Sequence, residues 1–529
     1  MKEPVFYKKE FEMSTHRHLA RSAGIIGVLT GVSRVLGFVR DLVIAAAFGT
    51  GVNAEAFVVS FRIPNTLRDL VGEGAANAAL VPVLTEAWEK KRHEFWTLVS
   101  TFFYLLVMAL ALLCLAGVLF APQVVALLAP GFLSSSDPDK FPLAVRLTRV
   151  LFPYIFLISL SALAMGVLNA LKEFTSSALG PALLNVCMIL AGIFFEKTYG
   201  PFALAFGVLA GGVLQLSFQV RPLLAKGFHF SKPSFRHPAV AQMGRLLLPR
   251  ALGSALYQIN VFVDSILASF ESFVGTGGQS ALYYSNRLFQ LPLAVFGIAL
   301  SQAILPTFSA QAVNGEISRL KETLSLALRS LALAVVPASV GLVVLSRPIV
   351  RIIFQHGRFD AASTAITSNA LFFYAFGLLS CCFIKILVNA FYAMRDTRTP
   401  VKAMAVAVFL NVALSLILMR PLKIGGLTLA SSLSATVNAA LLFIALRKKI
   451  GPLDEKKILS SLLKIAAAAL LMGAAAWFYD RAVLGAHLSD SRLGQSLYLL
   501  TGILLALAVY FAAAFALKIE ELKKLFFRD

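Results

Sequence analysis

The sequence predicts an all-α polytopic membrane protein, and three observations carry that prediction. Mean hydropathy is +0.80 and only 14% of residues are charged, against about 25% in soluble domains. Apolar segments long enough to cross a bilayer recur along the chain, about 14 in all. Helices rather than open sheets are expected, because backbone that faces lipid must satisfy its own hydrogen bonds. The third observation is that cations sit inside those segments, where ionisable groups are costly and mark function.

The spans are read at 23–48, 54–86, 95–120, 143–169, 177–195, 200–223, 243–269, 281–310, 323–346, 364–392, 400–419, 424–446, 459–478 and 494–517. The first holds Arg34, Arg40 and Asp41, so it reads as a permanent span and not as the short apolar core of a cleavable signal. Pro64 and Pro82 interrupt the second, and Pro292 and Pro306 the eighth, which predicts kinks there. The last two spans are rich in Ala and Leu and carry few internal charges.

The domain reading that follows is an N-terminal extension (1–21), a six-helix lobe (22–224), a linker (225–242), a second six-helix lobe (243–450), a final helix pair (451–518) and a tail (519–529). A net charge of +21 could suggest nucleic acid. The loop cations, however, are spread over short connections between spans, so they read as topology signals. Most lie on the side of the N-terminus, of Lys90-Lys91-Arg92, of the 224–242 loop and of the tail, which predicts both termini in the cytoplasm of a plasma membrane. Lys140, Lys197, Arg347, Arg351 and Arg358 fall to the other side.

An internal repeat with a shift of about 220 residues is visible. FPYIFLISLSALAMGVLNALKEF from Phe152 matches FFYAFGLLSCCFIKILVNAFYAM from Phe372, with Tyr154 on Tyr374 and Asn169-Ala170 on Asn389-Ala390. FRIPN…VPVLTEA also rhymes with NRLFQLP…LPTFSAQ. Six spans separate the copies, an even number, so the repeat is parallel. Transporters built this way work around a site at the repeat interface.

The charged set is the candidate site. Arg34 lies about 15 Å into its span at 1.5 Å per residue, near the middle of a hydrocarbon core of about 30 Å. Arg34 and Asp41 are seven apart and share a helical face, with Arg40 pointing elsewhere. Glu55, Arg62, Asp69 and Glu73 form one stripe of the second span, with Arg68 off it. Arg250 and Asp264 share a face of the seventh span, near Gln258 and Asn260. Arg287 follows Tyr283-Tyr284-Ser285-Asn286 in the eighth, and Lys385 lies in the tenth.

Guanidinium matches phosphate by bidentate hydrogen bonds, so the functional reading is an anion cavity. The bland alternative is a set of interhelical ion pairs or side chains snorkelling from helix ends. Other chemistry is thin. The seven histidines lie outside the spans without ligand spacing, the four cysteines (Cys114, Cys187, Cys381, Cys382) sit in apolar runs, and the chain has no phosphate-loop motif. No metal and no cofactor is expected. Gly211-Gly212 reads as close helix packing.

Several stretches carry a resemblance. SRVLGFVRD (33–41), AEAFVVSFRIPNTLRDLVGEGAANAALVPVL (54–84), LFPYIFLISLSALAMGVLNA (151–170), YYSNRLFQLPLAVFGIALSQAILP (283–306) and FYAMRDTRTPVK (391–402) resemble the MurJ/MviN family of lipid II flippases, in the MATE-like exporter superfamily. The resemblance implies 14 helices, two six-helix lobes plus a terminal pair that forms a groove for a lipid tail. It implies transport of undecaprenyl-diphosphate-linked disaccharide-pentapeptide from the inner to the outer leaflet, with Arg34, Arg40, Arg68 and Arg287 holding the diphosphate. Asp41, Glu55 and Glu73 match acidic positions of the family. Asp69 and Asn286 depart from it, where many members carry a basic residue and an aspartate.

The expectation is therefore a lipid flippase working by alternating access, not an enzyme. Its partners are the lipid-linked precursor, membrane lipids and cell-wall synthesis proteins. Membrane potential, a coupling ion or consumption of product are open as the driving force. The rivals are a flippase for another polyprenyl-diphosphate-linked glycan, a MATE-type antiporter, a membrane enzyme acting on polyprenyl phosphate, and a non-transporting scaffold. A cation antiporter would centre its cavity on acids instead of arginines.

Overall fold

The computed structural model describes residues 5–68, 75–484 and 492–522. Among them every regular element is a helix. Among the described residues nine helices are long and apolar enough to cross a membrane, and a bent pair makes ten. The fold class is thus all-α and polytopic, and every predicted span lies wholly or largely on helix.

The chain divides into two compact units. The first holds α1 (Val5–Phe48), α2 (Val52–Arg68), α3 (Ala75–Lys90), α4 (Phe95–Leu119), α5 (Ala121–Leu128), α6 (Lys140–Ala170), α7 (Thr175–Phe194), α8 (Glu196–Tyr199), α9 (Phe202–Ala225) and the start of α10 (Pro238–Ala268). The most buried span is α6, which packs on α2, α3, α4 and α9, while α7 lies between α1 and α9. The Gly211-Gly212 reading holds: a Cβ on Gly211 would come within 2.8 Å of Leu184, and one on Gly212 within 3.0 Å of Tyr154. Small residues let helix backbones approach closely where lipid offers little hydrophobic drive.

The second unit begins at Leu256 and includes α11 (Glu271–Val274), α12 (Gly278–Pro292), α13 (Ala299–Val313), α14 (Ile317–Val344), α15 (Ser346–Phe354), α16 (Ala361–Ala375), α17 (Leu378–Ala393), α18 (Arg398–Leu422), α19 (Ile424–Ile450), α20 (Glu455–Tyr479) and α21 (Arg492–Ala516). Packing repeats the first unit's pattern. The α18–α19 pair corresponds to α7–α9, the α16/α17–α19 contact to α6–α9, and α12–α16 to α2–α6. This is the architecture a parallel duplication produces. Gly49–Gly51 and Ala129–Ser136 group with this second unit. Tyr284 Oη donates to Gly49 O at 3.1 Å, Gly131 N to Ser269 Oγ at 2.9 Å, and Glu271 accepts from Ser135 and Ser136.

Departures from straight helix take two forms, one at a proline and one without. Pro292 ends α12 and is followed by a π-helical turn, Leu293–Ile298, within one continuous 36-residue span. Proline has no N–H to donate, and a widened turn absorbs the lost bond. The tenth span, read as a continuous helix, is instead bent by 46° between α16 and α17. Gly377 sits at the bend, where a Cβ would approach within 2.8 Å of Ser432 Cα. Helix α1 starts at Val5 and runs without a break into the first span.

The added pair joins the second unit through α14, which packs on α20, and α20 in turn on α21. Ala332, Ile465, Ala468, Met472, Ala506 and Tyr510 form part of a buried cluster there, and Tyr510 Oη donates to Leu333 O at 2.7 Å. Outside the spans, Asp396 caps α18, accepting from Thr399 N at 3.0 Å and Arg398 N at 3.1 Å. The Lys449 ammonium beside it, at 2.6 Å, holds its carboxyl well below the usual carboxylate range. The FYAMRDTRTPVK motif is thus, in its second half, a helix start.

Candidate functional site: charged clusters within the spans

In the first unit α1 carries both predicted arginines. Arg34 is exposed on the helix surface. Arg40 is buried and donates through Nε and Nη2 to Asp41 Oδ1, at 3.0 and 2.7 Å, and through Nη1 to Asn185 Oδ1 of α7 at 3.0 Å. Asn185 in turn donates to Ser33 O at 3.1 Å. The face-sharing expectation for Arg34 and Asp41 therefore gives way to a pair between neighbours. Helical spacing says adjacent residues do not face each other, but the long guanidinium stem curls back far enough to reach. Arg40 is 5% exposed and Asp41 1%, so the pair is stable only because each partner neutralises the other.

Glu55, near the start of α2, is equally buried and receives the Lys140 ammonium from the first residue of α6. Lys140, assigned from sequence to an external loop, is wholly buried. It was missed because it stands three residues outside the apolar run that defined its span, and the helix begins earlier than the run does. Ser60 of α2 lies one turn deeper, donating to Ala144 O at 2.8 Å and receiving Thr148 at 3.1 Å. Arg62 is half-buried on α2. Asp69 and Glu73 lie outside the described residues, as do the side chains of Arg68 and Arg250.

The second unit holds the counterpart cluster. Asp264 of α10 accepts from Asn411 Nδ2 of α18 at 2.9 Å and from Ser431 Oγ of α19 at 3.3 Å. Asn411 also donates to Asn260 Oδ1 at 2.8 Å. Arg287 is half-buried on α12, its guanidinium 4.9 Å from the Tyr283 ring centre with Nη2 3.3 Å from the phenol oxygen. Asn286 accepts from Gln290 one turn on, at 2.5 Å. Lys385 is exposed, and the repeat residue Asn389 donates to Ser301 of α13 at 2.7 and 2.8 Å.

Arg329, deep in α14, was not anticipated at all. It is buried against Glu521, which also accepts from Ser461 of α20 at 3.0 Å. This ties the segment after α21 to the second unit. Arg329 stands inside the span read at 323–346, the same signal that marked the other arginines, but its partner could not be read locally, because the carboxylate comes from 192 residues away. Among the described residues no group of three or more His, Cys, Asp or Glu could hold a metal ion.

Fold and clusters together define a polytopic helical membrane protein whose two units repeat one packing pattern, with ionisable groups buried in its spans. Comparison with known proteins narrows the class. A family profile described as "Lipid II flippase MurJ" matches residues 44–491. A "Probable lipid II flippase MurJ" of Haemophilus influenzae is 37% identical over 470 residues, covering 85% of this chain and 91% of its own. The "Lipid II flippase MurJ" of Burkholderia cenocepacia is 37% identical over 444 residues, covering 82% and 84%.

A solved structure described as "Lipid II flippase MurJ, inward closed conformation" superposes with a TM-score of 0.78 at 26% identity, over 93% of this chain and 99% of that one. An inward-facing MATE family multidrug transporter shares the fold, with a TM-score of 0.67 at 17% identity over 80% and 96%. The chain belongs to the MurJ family, a family of membrane transporters rather than enzymes.

Proposed function

We propose that the chain translocates lipid II, the undecaprenyl-diphosphate-linked peptidoglycan precursor, from the inner to the outer leaflet of the plasma membrane. The observation that carries this reading is family membership combined with arginines kept on membrane spans. Arg34, Arg40, Arg68 and Arg287 hold the diphosphate, and the chain works by alternating access with both termini in the cytoplasm. Arg34 is exposed and Arg287 half-buried beside Tyr283, which suits a planar donor presented to an incoming anion. Arg40 is already committed to Asp41 and Asn185. Its role in this reading is to lend field to the site while keeping that pairing. Asp264, Glu55, Arg62 and Arg250 support the helices that present the site.

The headgroup carries negative charge, so its outward step is favoured by an inside-negative potential, by about 2.3 kcal/mol per charge per 100 mV. No covalent chemistry is needed. The test is a leaflet-accessibility assay in cells depleted of the chain. Lipid II exposed on the outer leaflet should vanish on depletion and return with the wild-type chain. Unchanged exposure after depletion would refute transport and leave a scaffold.

A further inference from the structure

The segment between α9 and α10 forms a cationic strap. From Lys197 to Val263 the chain has no Asp or Glu, while Arg221, Lys226, Lys232, Arg236 and Arg245 punctuate it. Residues 226–237 lie outside any helix, apart from a turn or two, yet they are fixed to α4. Ser231 N donates to Ser100 Oγ at 3.0 Å, and Ser234 N to Thr101 Oγ1 at 2.9 Å. His237 meets Glu94 at 3.2 Å, and that hydrogen bond, ahead of Lys91, holds the Glu94 carboxyl below its ordinary range. An aromatic run completes the attachment: Trp96 on Phe228 at 5.5 Å, Phe228 on Phe230 at 4.9 Å, and Phe230 on Phe103 at 5.1 Å.

Two features place the strap at a bilayer boundary. First, α4 is the least buried span, with 17% of its apolar window covered, and Tyr104 on it is exposed. Phe230 sits 6.2 Å from Tyr104, nine residues into the helix, or about 14 Å along the axis. A 25-residue helix is about 38 Å long and overruns a core of about 30 Å by only a few ångströms at each end. Phe230 therefore reaches below the headgroups. Hydroxyls of Ser100 and Thr101, about 8–9 Å into the helix, take up strap N–H groups, as backbone inside a membrane requires. Second, the outward side is mixed. Phe230 is 56% and Phe235 49% exposed, and Lys226, Lys232 and Arg236 are exposed beside them. Aromatic wedges among cations are the chemistry of an interfacial lipid anchor.

We propose that this strap binds anionic phospholipid headgroups of the leaflet it borders, Phe230 and Phe235 entering the acyl boundary while Lys226, Lys232 and Arg236 take the phosphates. The proposal stands apart from the transport reading, because its test needs no cargo. Trp88 and Trp96 lie at the base of the strap, with the Arg92 guanidinium 4.3 Å from the Trp88 ring. A Trp477→Phe chain keeps only these two of the three tryptophans.

Reconstituted in neutral phosphatidylcholine vesicles, its fluorescence is titrated with brominated phosphatidylglycerol or, at equal fraction, brominated phosphatidylcholine. Each basic residue at an anionic surface enriches it about fivefold, so the anionic lipid should quench at several-fold lower fraction, and salt should erase the difference. Lys232→Gln with Arg236→Gln should remove most of the preference at unchanged helix content. Equal quenching by the two lipids overturns the proposal and leaves the surface to an acidic water-borne partner. A preference that survives in the double variant also overturns it, by putting the lipid elsewhere.

Discussion

Equivalent places in the two repeats solve one packing problem with different chemistry. In the first unit an aspartate on α1 faces an asparagine on α7, and Arg40 stands between Asp41 and Asn185. In the second unit an aspartate on α10 faces an asparagine on α18, and Asn411 donates straight to Asp264. Gly37, in register with Asn260, leaves the room beside Asn185 that the amide of Asn260 fills beside Asn411. The same contrast recurs one helix on. Glu55 receives Lys140, while Gln279 in the equivalent place bonds Ser265. Duplication has preserved the acid–amide contact between helices; the first repeat has threaded the Arg40–Asp41 pair into it and placed a second pair, Glu55–Lys140, between α2 and α6. At these equivalent places the first unit ties charge to a charged partner, so they are more exposed to single substitutions there than in the second.

The largest effect expected from breaking this contrast is at Asp41. Asp41→Ala removes the carboxylate that the buried Arg40 meets at 2.7 Å, and breaking a buried pair costs about 3–5 kcal/mol. Thermal unfolding in detergent should show it, and Arg40→Ala with Asp41→Ala should cost less than the two singles combined. Glu55→Gln, which writes the second repeat's residue into the first, should cost about 3 kcal/mol by the same logic, read as a lowered unfolding midpoint.

Asn411→Ala removes a donor to a carboxylate and should cost about 1–3 kcal/mol. A loss as large as that of Asp41→Ala would erase the distinction between the repeats. The smallest effect is at Gly37→Ala. The added Cβ would sit 3.5 Å from Asn185 Nδ2, an ordinary contact, and alanine gains about 1 kcal/mol over glycine within a helix, so the midpoint should hold or rise slightly.

Much of this was legible in the sequence, and the failures have physical causes. Hydropathy locates the spans, because a bilayer imposes their length. The repeat is visible in Asn169-Ala170 and Asn389-Ala390, and the second copy's asparagine proves to bind the neighbouring helix α13. Arg40–Asp41 defied the helical wheel because side-chain reach, not Cα direction, decides where a guanidinium ends. Lys140 looked like a loop residue because helix ends do not coincide with the ends of apolar runs. Arg329–Glu521 was invisible, since only folding brings α14 and the tail together. The bend at Gly377 depends on the approach of Ser432 from α19, which no local signal announces.

The central claim is that arginines on the spans hold a diphosphate, and binding tests it most directly. Purified chain in nanodiscs is titrated with a polyprenyl diphosphate, comparing wild type with Arg34→Ala and Arg287→Ala. Losing a hydrogen bond between charged groups costs about 1.5–3 kcal/mol, so each variant should bind about 10- to 100-fold more weakly at an unchanged unfolding midpoint. Wild-type affinity in both variants would contradict the account.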